Sequence, residues 1–355
     1  FLIPIFAKID VIPANSADPK AYRSDICAGL FLMGLAGILI GTIPTHMNAG
    51  YGYGLLLVFS LLGGTGYITM DLLMNGLIAD VYPEKKNTLL PFVHAFYGTG
   101  AMLAPLLVTV LSNPLNPQTY ARPYLLLGAL SLACYIVMTV VGTHIRAQTP
   151  YGDMRTIRAH AARNPAEIFY NAHAWMYLLA SFLYLCFQTG ISSWLPKYCM
   201  HNLSISYQEA AGILTLYFLG ALGMRALSPL IYNRVSVRRF YLVSILCSAG
   251  IYLAFLLFPM TLPAARGFLF AAGFLQGSAV PSMVILCCDA FPDRTASASS
   301  IVVLGVSLAA LIIPALMGVL IEKAGYLPAM LLIVACLPLS VGIIWIAGLK
   351  AGAPG

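Results

Sequence analysis

Ten runs of this sequence are long and apolar enough to cross a bilayer, and nothing else constrains its fold as strongly. They fall at about 26–44, 53–80, 88–111, 122–143, 172–196, 207–233, 239–258, 264–289, 296–321 and 326–348. A hydrocarbon core about 30 Å thick is crossed by about 20 residues of helix. The runs are too long and too uniformly apolar for the alternating strands of an outer-membrane barrel. The predicted class is therefore an all-α membrane protein. Internal prolines and glycines do not oppose this, because neighbouring helices can satisfy the backbone groups they release. Pairs of small residues such as Gly37 with Gly41 and Gly220 with Gly223 read as sites of close helix packing.

Composition agrees. Of 355 residues 60% are hydrophobic and 9% charged, against about 25% charged in a soluble domain. A soluble enzyme and a disordered chain are excluded. The net charge of +7 does not point to nucleic acid, because the bases lie between apolar runs rather than gathered with aromatics on one face. The expected partner is the lipid bilayer. Eight cysteines lie mostly inside apolar runs and form no CxxC pair, so they read as small hydrophobes rather than disulfides or metal ligands. The chain opens on Phe1 with no basic leader, which reads as the absence of a signal peptide.

Placing the loops alternately on two sides puts fourteen Lys and Arg residues on one side and four on the other, with Arg225 left inside a run. The basic-rich side is expected to be cytoplasmic, with the C-terminus on it, in a plasma or bacterial inner membrane. No HExxH, GxSxG or Walker A loop is present. No enzyme activity, cofactor or metal is implied, and without a phosphate loop the energy for any transport must come from a gradient or the solute itself.

The chain also repeats itself. At an offset of 209 positions Asp80-Val-Tyr-Pro-Glu-Lys85 falls on Asp289-Ala-Phe-Pro-Asp-Arg294, and Gly64, Pro105, Leu107 and Leu111 fall on Gly273, Pro314, Leu316 and Leu320. Farther out, Arg23 to Pro44 resembles Arg239 to Pro259 with a change of loop length, and Pro4–Lys8 resembles Pro229–Asn233. Both copies keep one membrane orientation. The expected organisation is an N-terminal bundle at 1–145, a polar basic linker at 146–171 and a six-helix bundle at 172–355. By the same register one to two opening helices of twelve are expected to be missing. Two parallel six-helix halves joined by a cytoplasmic linker resemble the major facilitator fold.

The likeness extends to motifs. Asp71-Leu-Leu-Met-Asn75, followed by Asn87-Thr-Leu-Leu-Pro-Phe-Val-His94 and Tyr97-Gly98-Thr-Gly100 through Pro105, resembles the fourth and fifth helices of the fucose permease branch of that superfamily. Gln188-Thr-Gly-Ile-Ser-Ser-Trp194 resembles its seventh helix. Gly220-Ala-Leu-Gly223-Met-Arg225, with Arg234, Arg238 and Arg239, resembles its repeated cytoplasmic gate motif. The resemblance implies proton-coupled sugar transport, with Arg225, Arg234, Arg238 and Asp289 as gating residues. Two departures stand out: the first helix, which often supplies a cavity acid in relatives, is expected to lie outside a sequence truncated at its start, and Asn233 replaces the usual acid of the gate.

The remaining candidates are the side chains that are expensive to place in oil. A charge at the bilayer centre costs about 2.5–3.5 kcal/mol on insertion scales. Only Asp71 and Arg225 lie well inside the runs. Asp71 is nine residues before Asp80, about 13 Å of helix, and Asn75 is one turn on. A carboxyl at that depth can carry a proton or hydrogen-bond a polar solute; it can equally be a structural acid paired with a neighbouring helix. Arg225 is a candidate for pairing with Asp289 or Asp293. His94, Gln188, Trp194, Gln276 and Ser278, joined by Ser192 and Tyr217, suit a neutral hydroxylated ligand, or else hold helices together.

The expected function is a monomeric secondary transporter that moves a small polar solute, most simply a sugar, by alternating access. A proton would be the coupling ion, with sodium as the other choice. The competing readings are an exporter of amphiphiles with the same fold and a non-transporting membrane sensor.

Overall fold

In the computed structural model residues 19–43, 49–81, 84–113, 116–141 and 165–350 are described, and they form eleven α-helices. These are α1 Pro19–Gly41, α2 Ala49–Val81, α3 Lys86–Leu111, α4 Ala121–Val141, α5 Ala172–Leu203, α6 Tyr207–Tyr232, α7 Val237–Leu257, α8 Leu262–Gln276, α9 Ala279–Ala290, α10 Thr295–Ala324 and α11 Tyr326–Lys350. Among the described residues nine stretches are long and apolar enough to span a membrane, and α1 carries a shorter apolar stretch, Asp25–Gly41. These ten correspond to the ten runs in the sequence. The eighth, Leu262–Ala290, is not continuous: the backbone turns at Gly277 and Ser278, which separate α8 from α9.

Local sequence sets the ends. Between α5 and α6 the chain turns through Ser204, whose φ of 52° lies in the left-handed region. Ser206 then caps α6: its hydroxyl accepts from the Glu209 N–H at 3.3 Å while the Glu209 carboxylate accepts from the Ser206 N–H at 3.0 Å. This reciprocal pair satisfies two of the donors that a helix start leaves bare. Asn171 and Ser236 cap α5 and α7 in the simpler way.

The chain divides into two compact units, Phe1–Val81 with Leu107–Pro165 and Tyr82–Leu106 with Ala166–Gly355. In the first, α1 packs on α2 and on α4. Helices in a bilayer gain little from hiding apolar surface, so close approach matters more. Here it is made by glycine: Gly29 lies against the backbone of Gly66, and Gly37 against the backbone of Gly128. The Tyr120 hydroxyl, at the start of α4, donates to the carbonyls of Ile40 and Ile43 at the end of α1.

In the second unit α5 packs on α10 and α11, α6 on α8, and α7 on α8 and α11. Tyr184, Tyr217, Tyr241 and Tyr252 are among the largest fully buried side chains. The Tyr241 hydroxyl meets Ser340 Oγ at 2.7 Å, and Ser340 Oγ donates to the Ala180 carbonyl at 2.7 Å, so one serine of α11 joins α7 to α5. The sequence repeat has a structural counterpart within each unit. At the 209-residue offset α2, α3 and α4 correspond to α8–α9, α10 and α11, and α1 corresponds to α7 after a change of loop length. As α1 packs on α2 and α4, so α7 packs on α8 and α11. Gly37 and Gly220 pack as the small-residue spacing predicts, Gly220 against the backbone of Phe270 and Phe274.

The division differs from the sequence halves at α3, most of which groups with the second unit although the expected boundary placed all of it in the first. The stub at Pro4–Lys8 and the linker from 146 to 164 lie outside the described residues.

Candidate functional site

Asp71 sits on α2, partly buried. Its Oδ1 accepts from the Nδ2 of Asn75, one turn on, at 3.4 Å. Asn75 itself is 2% exposed. The face below is apolar, with Leu73 packed among Ile26 and Leu30 and flanked by Met70, Met74 and Tyr135. No Lys or Arg among the described residues pairs with Asp71. The α2 span therefore holds a carboxylate whose described neighbour is one amide.

The second unit holds the other candidates. Arg225, 3% exposed on α6, donates through Nε to the Gly277 carbonyl at 2.6 Å and through Nη1 to the His94 carbonyl at 3.0 Å. Its guanidinium carbon lies 5.5 Å from the centre of the Tyr97 ring, within range of a cation–π contact. His94 is buried on α3. Asp289, at the end of α9, pairs with Lys86 at the start of α3 at 2.5 Å. The expected partnership of Arg225 with Asp289 is not formed. Arg225 is anchored at Gly277, twelve residues before Asp289, about 18 Å of helix rise away, and one side chain cannot serve both. The Asp293 side chain lies outside the description.

Gln276, 1% exposed, has both ends of its amide engaged. Tyr217 donates to its Oε1 at 3.0 Å, and its Nε2 donates to Ser248 Oγ at 2.8 Å. Tyr184 donates to its carbonyl at 3.3 Å. Ser278, fully buried, donates to the Met224 carbonyl at 3.4 Å. Gln188 differs: it is buried on α5, and its Oε1 has no hydrogen-bond partner. Trp194 Nε1 is likewise without one, while the Lys197 ammonium sits 4.6 Å from its ring centre and Gly318 lies beneath the ring. Ser192 Oγ bonds back to the Gln188 carbonyl at 2.8 Å. An amide oxygen buried without a donor costs about 1–3 kcal/mol unless something fills the gap; the Asn87 Oδ1 on α3 is in the same position. Arg234 is exposed in the turn after α6. Arg238, on α7, donates to the Trp345 carbonyl at 2.5 Å, and its guanidinium occupies the space beside Gly348 on α11.

Residues 23–295 match the Major Facilitator Superfamily, about three quarters of the chain. The chain belongs to the Major Facilitator Superfamily. A Bacillus subtilis (strain 168) relative described as an uncharacterized MFS-type transporter, YfkL, is 24% identical over 301 residues, which cover 82% of this chain and 71% of that protein. Two solved structures are similar in fold. One is a Major Facilitator Superfamily transporter, FucP, in the outward conformation, with a TM-score of 0.72 and 18% identity over 100% of this chain and 91% of that one. The other is a variant of the E. coli fucose:proton symporter FucP, with a TM-score of 0.71 and 18% identity over 99% and 90%. The superfamily and the fold make this chain a multi-pass secondary transporter rather than an enzyme, with a small-molecule solute as cargo.

Within this transporter the candidates separate into three groups. Asp71 and Asn75 are brought together. Gln276 and Ser278 are tied to helices of their own unit. Gln188 and Trp194 keep an unmatched polar atom each. Sequence reasoning missed Lys86 as the partner of Asp289, Glu167 as the partner of Arg294 at 2.5 Å, and Ser248 as the partner of Gln276. Pairs so far apart in the chain leave no local signal.

Proposed function

We propose that this transporter moves a small neutral hydroxylated solute, of the fucose, glucose or galactose type, by alternating access and in symport with protons. Asp71 is the coupling group. The observation that carries this reading is a carboxylate in the middle of an apolar span, hydrogen-bonded to an amide one turn on. Such a group costs free energy in oil, and a proton that is taken up and released there gives it a use. The buried Gln188 oxygen and the indole N–H of Trp194 provide an acceptor and a donor for sugar hydroxyls. The similarity to a fucose:proton symporter is consistent with the same cargo class. The basic loops would face the cytoplasm, as would the C-terminus.

The test uses proteoliposomes and labelled L-fucose, D-galactose and D-glucose. Asp71→Asn should reduce proton-driven accumulation at least about tenfold, while solute exchange at equal concentrations on both sides persists, since exchange needs the site but no net proton movement. Accumulation by Asp71→Asn that still follows the proton gradient would remove Asp71 from the mechanism. A thermal-shift screen with the same sugars checks the cargo independently, because a ligand that binds only the folded form raises its stability.

A further inference from the structure

Arg225 is the most deeply placed basic side chain among the described residues, and the proposed function gives it no task. Its two carbonyl partners are available for specific reasons. In an α-helix the carbonyl of residue i accepts from the N–H of residue i+4. Four residues after Gly277 stands Pro281, which has no N–H to give. The Gly277 carbonyl is thus left open at the turn between α8 and α9, the next N–H, of Ser282, being used by Ser278 at 2.9 Å. Arg225 Nε fills the place. The second partner is His94 on α3, where Gly98 one turn on supplies the space. A Cβ built on Gly98 would lie 2.7 Å from Arg225 Nη1, closer than such atoms come.

The arginine is itself held by a similar device. Pro229 withdraws the donor that would serve the Arg225 carbonyl, and Ser228 Oγ supplies one at 3.1 Å. The face continues toward Tyr232, whose hydroxyl meets Ser282 Oγ on α9 at 2.7 Å. Pro281 has no counterpart in the first copy of the repeat: it corresponds to Leu72, inside the unbroken α2.

We propose that Arg225, Gly98 and Pro281 form a pin that docks α3 against the α8–α9 turn, and that its strength sets the balance between α3-docked and α3-undocked conformations. These two bonds run to backbone carbonyls, so they specify position. Lys86 with Asp289 closes the same pair of elements at one end, where the pair is exposed and worth little by itself. The buried pin carries the larger share.

The experiment reads geometry and needs no solute, so it stands whatever the cargo proves to be. Thr88→Cys and Asn233→Cys, exposed positions at the ends of α3 and α6, carry spin labels. The background has Cys134, Cys247 and Cys336 replaced by serine, the buried cysteines being left alone. Pulsed electron resonance on reconstituted protein should give a dominant short distance. Gly98→Ala, Arg225→Gln and Pro281→Ala should each move population to a longer distance, lowering the short-to-long ratio by roughly fivefold or more. Pro281→Ala acts by returning an N–H to compete for the Gly277 carbonyl, and it needs no group removed from the contact, so it serves if either other variant fails to fold. An unchanged distance distribution in the folded variants overturns the proposal. So does a shift produced by Lys86→Gln that equals theirs, because the exposed ion pair would then be the holding contact.

Discussion

Gln276 illustrates how a polar residue in a membrane helix can fasten helices together. From α8 its amide takes a hydrogen bond from Tyr217 on α6 and gives one to Ser248 on α7, so a single side chain fastens three helices. Bonds of this kind average about 0.6 kcal/mol in membranes, but removing one partner of a buried set leaves the others bare and costs more. Gln276→Leu should therefore lower stability by about 2 kcal/mol, read as a fall in the thermal unfolding midpoint in detergent. Adding Tyr217→Phe to it should cost less than Tyr217→Phe costs alone, since the hydroxyl has already lost its partner; additive losses in the double-mutant cycle would mean that the two side chains are not coupled. From sequence Gln276 and Gln188 are indistinguishable, two amides in apolar helices. The structure separates them by what stands opposite: a tyrosine and a serine for one, no donor for the other's oxygen. Which partner faces a residue depends on helix rotation and packing, and no local pattern encodes that.

Helices were the most legible level, because a run of apolar residues must hydrogen-bond its own backbone in oil and has no alternative. Nine of the ten runs became helices long enough to span a membrane and the first a helix with a shorter apolar stretch, and the internal repeat became the shared pattern of α1 on α2 and α4 and α7 on α8 and α11. The break between α8 and α9 was not read, since a hydropathy average passes smoothly over Gly277 and Ser278. The signal was there in Pro281, four residues on. Helix contacts were half legible: the small residues marked close approaches but not their partners. Gly128 lies against the backbone of Ile38, Gly34 and Gly37, where an added Cβ would come within 2.7–3.0 Å. Gly100 on α3 has nothing within 4 Å. Gly128→Ala should force α1 and α4 apart and cost about 1–3 kcal/mol of stability. Gly100→Ala should be neutral or slightly stabilising, because alanine favours helix over glycine. Equal thermal midpoints for the two variants would show that the α1–α4 crossing does not depend on that close approach.

For the chain as a whole the bilayer decides what counts as surface. The first unit leaves large apolar side chains such as Leu61 at 69% and Val110 at 81% exposure, which would be a liability in water and is what lipid contact requires. Charge then fixes direction rather than stability. The fourteen-to-four division of basic residues predicts the Arg234 turn on the cytoplasmic side and the turn before α6 on the other. Helix α6 has 26 residues, about 39 Å at 1.5 Å per residue, so its ends must lie on opposite faces. Asn202, in the last turn of α5 before α6, and Asn233, directly after α6, are exposed. With the exposed Cys134 and Cys247 replaced by serine, an impermeant maleimide applied to intact cells should label Asn202→Cys at once and Asn233→Cys only after the membrane is opened. Labelling of Asn233→Cys alone would invert the orientation while leaving the fold intact. Labelling of both without opening the membrane would deny that α6 crosses it, and would undo the span count from which the repeat, the orientation and the depth of Asp71 all follow.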